Sequence, residues 1–297
     1  MPARSYLFVP GDSERKLAKA AASGADVLIL DLEDSVASER TALAREMVAA
    51  FLHAQAGGDA RSSFCVRITP LAGDKALADL AAVMPAGPHC IMLPKTEGPA
   101  DVQRLDHHLS AFEAASGRAI GATGIIAVVT ETPKALFSLG DYGHCSSRLM
   151  GMTWGAEDLS AALGASPNRD ASGDLAFTYR MARSLCLAGA KAAAVEAIDT
   201  LWTDFRDAEG LRESAAAARR EGFTGKIAIH PDQVPIINSA FAPTADEIAW
   251  AQRVIAAFRA NPGAGTVGLD GKMLDRPHLV QAEAVVAVAR GSEGVAS

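Results

Sequence analysis

Residues 26–34 read DVLILDLED. The apolar core of this stretch, Val27 to Leu30, is too short for a helix and reads as a buried strand. Asp31 then falls where the strand leaves the core, with Glu33 and Asp34 just beyond it. Glu33 would share the strand face of Asp31, and Asp34 would take the opposite face. Four more runs repeat the pattern: SFCV ends at Arg67, IML at Pro94 and Lys95, GIIAVV at Thr130 and Glu131, and LMGMTWGA at Glu157 and Asp158. Carboxylates and cations gathered at one end of a parallel sheet make a reactive site, because a water-poor rim strengthens their interactions.

Working outward, SYLFV opens the chain and is closed by Pro10-Gly11, with a helix from near Asp12 or Ser13 to Gly24. Weaker runs lie at AVEAIDT (194–200) and KIAIHP (226–231). Amphipathic, Ala-rich segments separate the runs. They include SERTALAREMVAAFLHA, DVQRLDHHLSAFEAA, FTYRMARSLCLAGAKAA, AEGLRESAAAARREG and a segment PKALFSL with Pro133 at its first turn. About eight strand–helix units in roughly 235 residues predict a (β/α)₈ barrel over residues 1–240, with an open doubly wound sheet as the alternative. No G-x-G-x-x-G follows a strand, which disfavours a dinucleotide-binding sheet. Residues 241–297 read as a C-terminal lid extension. It has a helix over 245–259, a Gly-rich loop NPGAGTVGLDGKMLD, a final helix ending near Arg290 and a disordered tail, GSEGVAS.

Hydrophobic residues make up 49% and charged residues 21%, as in an ordinary soluble globular protein. The net charge of −7 and the lack of a basic block argue against nucleic acid as a partner. No apolar run is long enough for a membrane span or a signal peptide. Cys65, Cys90, Cys145 and Cys186 lack metal-ligand spacing, and Cys65 and Cys90, inside apolar runs, read as reduced core thiols, which suits the cytoplasm.

Glu131 and Asp158 come from neighbouring units, and two carboxylates with room for water and a chelating substrate suit Mg²⁺, with Mn²⁺ as the alternative ion. The competing reading makes Asp158 a helix cap and pairs Glu131 with a surface lysine. Arg67 either clamps a substrate carboxylate bidentately or forms a structural ion pair with Asp31 or Glu33. Lys95 fits a Schiff base, a phosphate contact or a carboxylate pair. His230 fits a general base, a ligand contact or a structural role. His53, His107 and His108 fall on amphipathic helices and should face solvent. Asp275 reads as a turn or capping residue before Pro277.

These residues carry a resemblance. RSYLFVPGDSERKLAKA, GADVLILDLEDSV, VRIT, IMLPKTE, TETPKAL, WGAEDLSAALG, GFTGKIAIHPDQ and GKMLD occur in an order that resembles the citrate lyase β-subunit-like family of the HpcH/HpaI aldolase/citrate lyase superfamily, over about residues 4–290. The resemblance implies a barrel of the phosphoenolpyruvate/pyruvate type and a Mg²⁺-dependent lyase of the carbon–carbon bond in 3-hydroxyacyl-CoA thioesters such as citramalyl-CoA or malyl-CoA. An aldolase acting without coenzyme A and a non-catalytic citrate-lyase-like subunit are the alternatives. Glu131 and Asp158 match the family's metal ligands, and Arg67 its carboxylate-binding arginine. Phe8 through Arg15 match the segment that meets coenzyme A, with Lys95 and His230 as further substrate contacts. Asp275 matches a lid aspartate that reaches a neighbouring subunit's site, which makes Asp275, Arg67 and Asp31 the implied catalytic group. A homotrimer or a multiple of one is also implied. Where the family usually shows V-R-x-N, this chain has Thr69, which is shorter and lacks the amide.

Overall fold

The computed structural model describes residues 2–57, 62–165, 168–171 and 173–293. Eight parallel strands close into a barrel in sequence order, with β1 beside β8. They are β1 (Ser5–Pro10), β2 (Val27–Asp31), β3 (Ser63–Arg67), β4 (Cys90–Leu93), β5 (Gly124–Val128), β6 (Leu149–Thr153), β7 (Glu196–Asp199) and β8 (Gly225–Ala228). The helices between them are α1 (Glu14–Ala21), α2 (Thr41–Gln55), α3 (Ala76–Val83), α4 (Pro99–Ala115), α5 (Ala156–Leu163), α6 (Phe177–Ala192) and α7 (Ala208–Glu221), with α8 (Gln233–Phe241) after β8. The barrel, not the open sheet, is the architecture.

Side chains alternate across each strand, so every second residue faces inward. Tyr6, Val27, Ile29, Cys65, Cys90, Met92, Ile126, Val128, Ile198 and Ile227 form one buried cluster, with Met150 packed against it. All eight strands contribute, which a single cluster can satisfy only inside the barrel. One step further along the same faces lie Phe8, Asp31 and Arg67. The strand register pairs Pro10 with Asp31 and Asp31 with Arg67. At Gly11 the β1–α1 turn meets the end of β2: its N–H donates to the Asp31 carbonyl at 2.9 Å. A Cβ there would lie 2.6 Å from that same oxygen, so only glycine allows the approach.

The expected helix at PKALFSL is only a 3₁₀ turn, Ala135–Phe137. Helices α3 and α8 were not expected; each is short, at eight or nine residues.

The chain divides into two compact units, one over Ala3–Asn238 and the other from Ser239 onward. The second contains α9 (Ala245–Ala260), β9 (Thr266–Leu269), β10 (Lys272–Asp275) and α10 (Arg276–Glu293). A capping box starts α9: Thr244 Oγ1 accepts from the Glu247 N–H, and Glu247 Oε2 from the Thr244 N–H. The expected Gly-rich loop is instead an antiparallel hairpin around Asp270-Gly271, both with positive φ (51° and 75°). That dipeptide is a strong signal for a two-residue hairpin turn. Ala251, Val254, Phe258, Val267, Leu274 and Ala282 form this unit's own core. The expected disordered tail begins at Gly291, but α10 continues to Glu293 and residues 294–297 lie outside the described residues. Among the described residues, no helix is long and apolar enough to cross a membrane.

Candidate active site

Asp31 is fully buried and takes two hydrogen bonds from Arg67, Nε to Oδ1 at 2.6 Å and Nη2 to Oδ2 at 2.7 Å. Its carboxylate also accepts the N–H groups of Glu33 and Ser35 at 3.1 Å each. Burial works to raise the Asp31 carboxyl, but the Arg67 bonds and charge hold it below the usual range. Arg67 Nη1 lies 2.9 Å from Glu33 Oε2, an ion pair without hydrogen-bond alignment, and its guanidinium sits 4.6 Å over the Phe8 ring. The ion-pair reading of Arg67 is therefore present with both acids. A guanidinium has five N–H donors, so capacity for a substrate carboxylate remains.

Lys95 links the remaining acids. It has φ of 51°, costly for a non-glycine residue, and its N–H donates to Glu131 Oε2 at 2.5 Å. Its ammonium pairs with Glu33 and lies 3.4 Å from both Asp34 and Asp158. Asp34 thus turns toward the same cluster as Glu33, because the strand has ended and face alternation no longer applies. Burial disfavours the Lys95 charge, yet Glu33 and the other acids push its pKa up, so it stays an ammonium. That favours the carboxylate-pair reading over a Schiff base.

Glu131 is 5% exposed. Burial, and then the Asp158 charge, push its carboxyl up to about 8. Asp158 sits in the first turn of α5 but does not cap it; Gly155 is the N-cap, with no side-chain bond. A Cβ on Gly155 would lie 3.2 Å from Glu131 Cγ and 3.4 Å from Oε1, so the absent side chain leaves room for this carboxylate. Two mutually repelling carboxylates offering hard oxygens fit Mg²⁺, which takes few protein ligands. Among the described residues, no group of three or more His, Cys, Asp or Glu side chains is arranged to hold a metal, which leaves the other positions to substrate and water.

Phe8, Arg15 and His230 line one cleft of about 430 Å³ together with Lys16, Lys19 and Pro231. His230 stacks on Phe205 at 5.1 Å, and its Nδ1 accepts the Asp232 N–H at 3.2 Å. The two lysines were not expected; the signal was their spacing from Arg15 along α1. Thr69 is held by Asp79, to which its N–H (2.8 Å) and hydroxyl (2.6 Å) both donate. A larger cavity of about 900 Å³ lies beside α6 and α7, but its arginines are outnumbered by acids and Glu131 is absent from its walls. His53 and His107 are exposed and His108 half-buried.

Asp275 is the last residue of β10, in the C-terminal unit, not on a loop. Its Oδ1 lies 2.5 Å from His278 Nδ1, and both side chains are nearly half exposed. Glu33 was weighed in the sequence as a neighbour of Asp31 and a possible ion-pair partner of Arg67, but not as a partner of Lys95. The structure makes it the partner of both Arg67 and Lys95.

The family model described as HpcH/HpaI aldolase/citrate lyase matches residues 4–231. The chain is 36% identical to the citrate lyase subunit beta of Haemophilus influenzae over 286 residues, covering 95% of each. It is 34% identical to the mitochondrial citramalyl-CoA lyase of Rattus norvegicus, covering 97% of this chain and 86% of that one. The crystal structure of the CitE protein from Mycobacterium tuberculosis, in complex with magnesium, acetoacetate and coenzyme A, superposes with a TM-score of 0.79 at 34% identity. That match covers 97% of this chain and 98% of the other.

Proposed function

The chain belongs to the HpcH/HpaI aldolase/citrate lyase family, and on that footing we propose that it is a Mg²⁺-dependent carbon–carbon lyase of 3-hydroxyacyl-CoA thioesters. Citramalyl-CoA or malyl-CoA is the substrate, giving acetyl-CoA and a 2-oxo acid. The observation that carries this reading is the Lys95 junction. It gathers Glu131 and Asp158 at the strand ends, while Asp31 and Glu33 fix Arg67 nearby.

Glu131 and Asp158 would hold the metal, and Lys95, bonded to Glu131 through its N–H and near Asp158 through its ammonium, holds the two side chains beside each other. When bound, Mg²⁺ supplies Lewis-acid charge to the oxygens of the 2-oxo acid. Arg67 neutralises the substrate carboxylate through its free N–H groups, and Asp31 holds the guanidinium in place. The basic cleft of Arg15, Lys16 and Lys19 takes the phosphates of coenzyme A, and Phe8 and His230 flank the entering thioester.

In cleavage, a base takes the 3-hydroxyl proton. The bond between C2 and C3 breaks, and its electron pair passes to the acetyl-CoA enolate, which then gains a proton at carbon. Asp275 of a second copy supplies that proton and removes it in the synthetic direction. The reading includes a homotrimer, or a multiple of one, in the cytoplasm.

Thermal unfolding with Mg²⁺ and coenzyme A or acetyl-CoA tests the thioester part. Stabilisation by either ligand is expected. No shift with either, together with cleavage of a free hydroxy-oxo acid, would replace this reading with that of an aldolase acting without coenzyme A.

A further inference from the structure

We infer that Trp154 and Asp199 are positioning residues for the metal carboxylates, holding the β6–α5 turn that carries Asp158 against Glu131. The inference rests on the metal-site reading above.

The turn Trp154–Asp158 is seated on two sides. On one, the Gly155 N–H donates to Thr130 Oγ1 at 3.1 Å, and Gly155 lies against the Glu131 side chain. Just before it, Thr153 is tied to β5 by the Val129 N–H, 2.9 Å from its carbonyl oxygen. On the other side, the Trp154 indole N–H donates to Asp199 Oδ1 at 2.8 Å. Both side chains are buried, at 1% and 2% exposure.

Asp199 is itself immobilised. Lys226 donates to its Oδ2 at 2.8 Å and Arg183 to its Oδ1 at 2.9 Å, and Arg183 is held over the Phe223 ring at 4.6 Å. A buried carboxylate with two cations needs no third donor to be neutralised. The indole bond therefore serves the turn more than it serves Asp199. It fixes Trp154, whose chain neighbour Gly155 packs on one metal carboxylate and whose helix presents the other.

Outer hydrogen bonds of this kind set ligand orientation, and losing one typically weakens metal affinity or activity about 10–100-fold. Trp154→Phe keeps an aromatic ring and removes the donor, together with the volume of the fused pyrrole ring. Asp199→Asn keeps the shape and weakens the anchor.

Calorimetric titration with Mg²⁺, without substrate, tests the inference on these two variants, on Glu131→Gln and on Asp106→Asn. Asp106 accepts Arg148 Nε at 2.6 Å beside the opposite end of β6, so its substitution controls for a general loss of stability. Trp154→Phe and Asp199→Asn should each bind Mg²⁺ about 10–100-fold more weakly than wild type, with Asp106→Asn within about twofold. Saturating Mg²⁺ should return kcat of Trp154→Phe to near wild type. Wild-type affinity in Trp154→Phe, or an equal loss in Asp106→Asn, would overturn the inference. Should Asp199→Asn fail to fold, Trp154→Phe decides alone. Wild-type affinity in Glu131→Gln would instead overturn the metal-site reading itself.

Discussion

Arg67 and Asp31, on adjacent strands, are joined by two hydrogen bonds of 2.6 and 2.7 Å, and Asp31 is completely buried. A lysine at position 67 keeps the charge but cannot make both bonds and still face a substrate. Hydrogen bonds to charged groups contribute about 1.5–3 kcal/mol each, so Arg67→Lys should lower kcat/KM about 10²-fold. Steady-state kinetics on a hydroxyacyl thioester measures this. A change below about threefold would mean that the guanidinium fork is dispensable.

At the opposite end of β6, Arg148 is paired with Glu113, which is fully buried. Burial works to raise this carboxyl, but the Arg148 bonds and the Gly121 and Thr123 N–H groups outweigh it and hold it at about 2. The folded state therefore binds fewer protons than the unfolded state between the ordinary carboxyl value and 2. The stability is fully present above that ordinary value and is lost as pH falls toward 2. A shift of this size corresponds to about 3 kcal/mol. Glu113→Gln should be destabilised by about that amount at pH 7, and most of the gap to wild type should close as pH falls to about 2. Urea unfolding at both pH values checks it, and a gap independent of pH would contradict it.

Arg15, Lys16 and Lys19 give the cleft beside Phe8 and His230 its positive charge. Arg15→Glu should raise KM for a CoA thioester about tenfold at low ionic strength and leave kcat within about twofold. The effect should shrink as salt is added, because exposed charges are screened. An unchanged KM would place coenzyme A elsewhere.

The barrel was legible because five apolar runs ended in charges and the alternation continued to eight strands. The acids and cations of the rim were legible for the same reason. Their mutual arrangement was not. Nothing in the sequence says that Lys95 takes a left-handed backbone conformation and donates its N–H to Glu131, since that depends on how two loops meet. Glu33 looked like a neighbour of Asp31 and is a bridge to Lys95. The hairpin before Asp275 was announced by Asp270-Gly271 but was masked by the surrounding glycines. The short helices α3 and α8 are stabilised by packing on the barrel more than by local sequence, so periodicity was too weak to reveal them.

In the proposed function, Asp275 serves a second copy's site. Asp275→Ala and Glu131→Ala should each fall at least about 10²-fold in activity alone. Co-expressed and purified together, the two variants should regain part of the wild-type rate, because one copy supplies the intact metal site and another the intact aspartate. No recovery in verified mixed oligomers would confine Asp275 to its own chain or remove it from the reaction.

The most direct measurement is a panel of 3-hydroxyacyl-CoA esters, including citramalyl-CoA and malyl-CoA, assayed for acetyl-CoA and for pyruvate, glyoxylate or oxaloacetate. At least one ester should be cleaved with Mg²⁺, with turnover abolished by EDTA and by Glu131→Ala. Cleavage that persists without metal, or no cleavage of any ester by folded, Mg²⁺-loaded protein, would contradict a metal-dependent CoA-ester lyase.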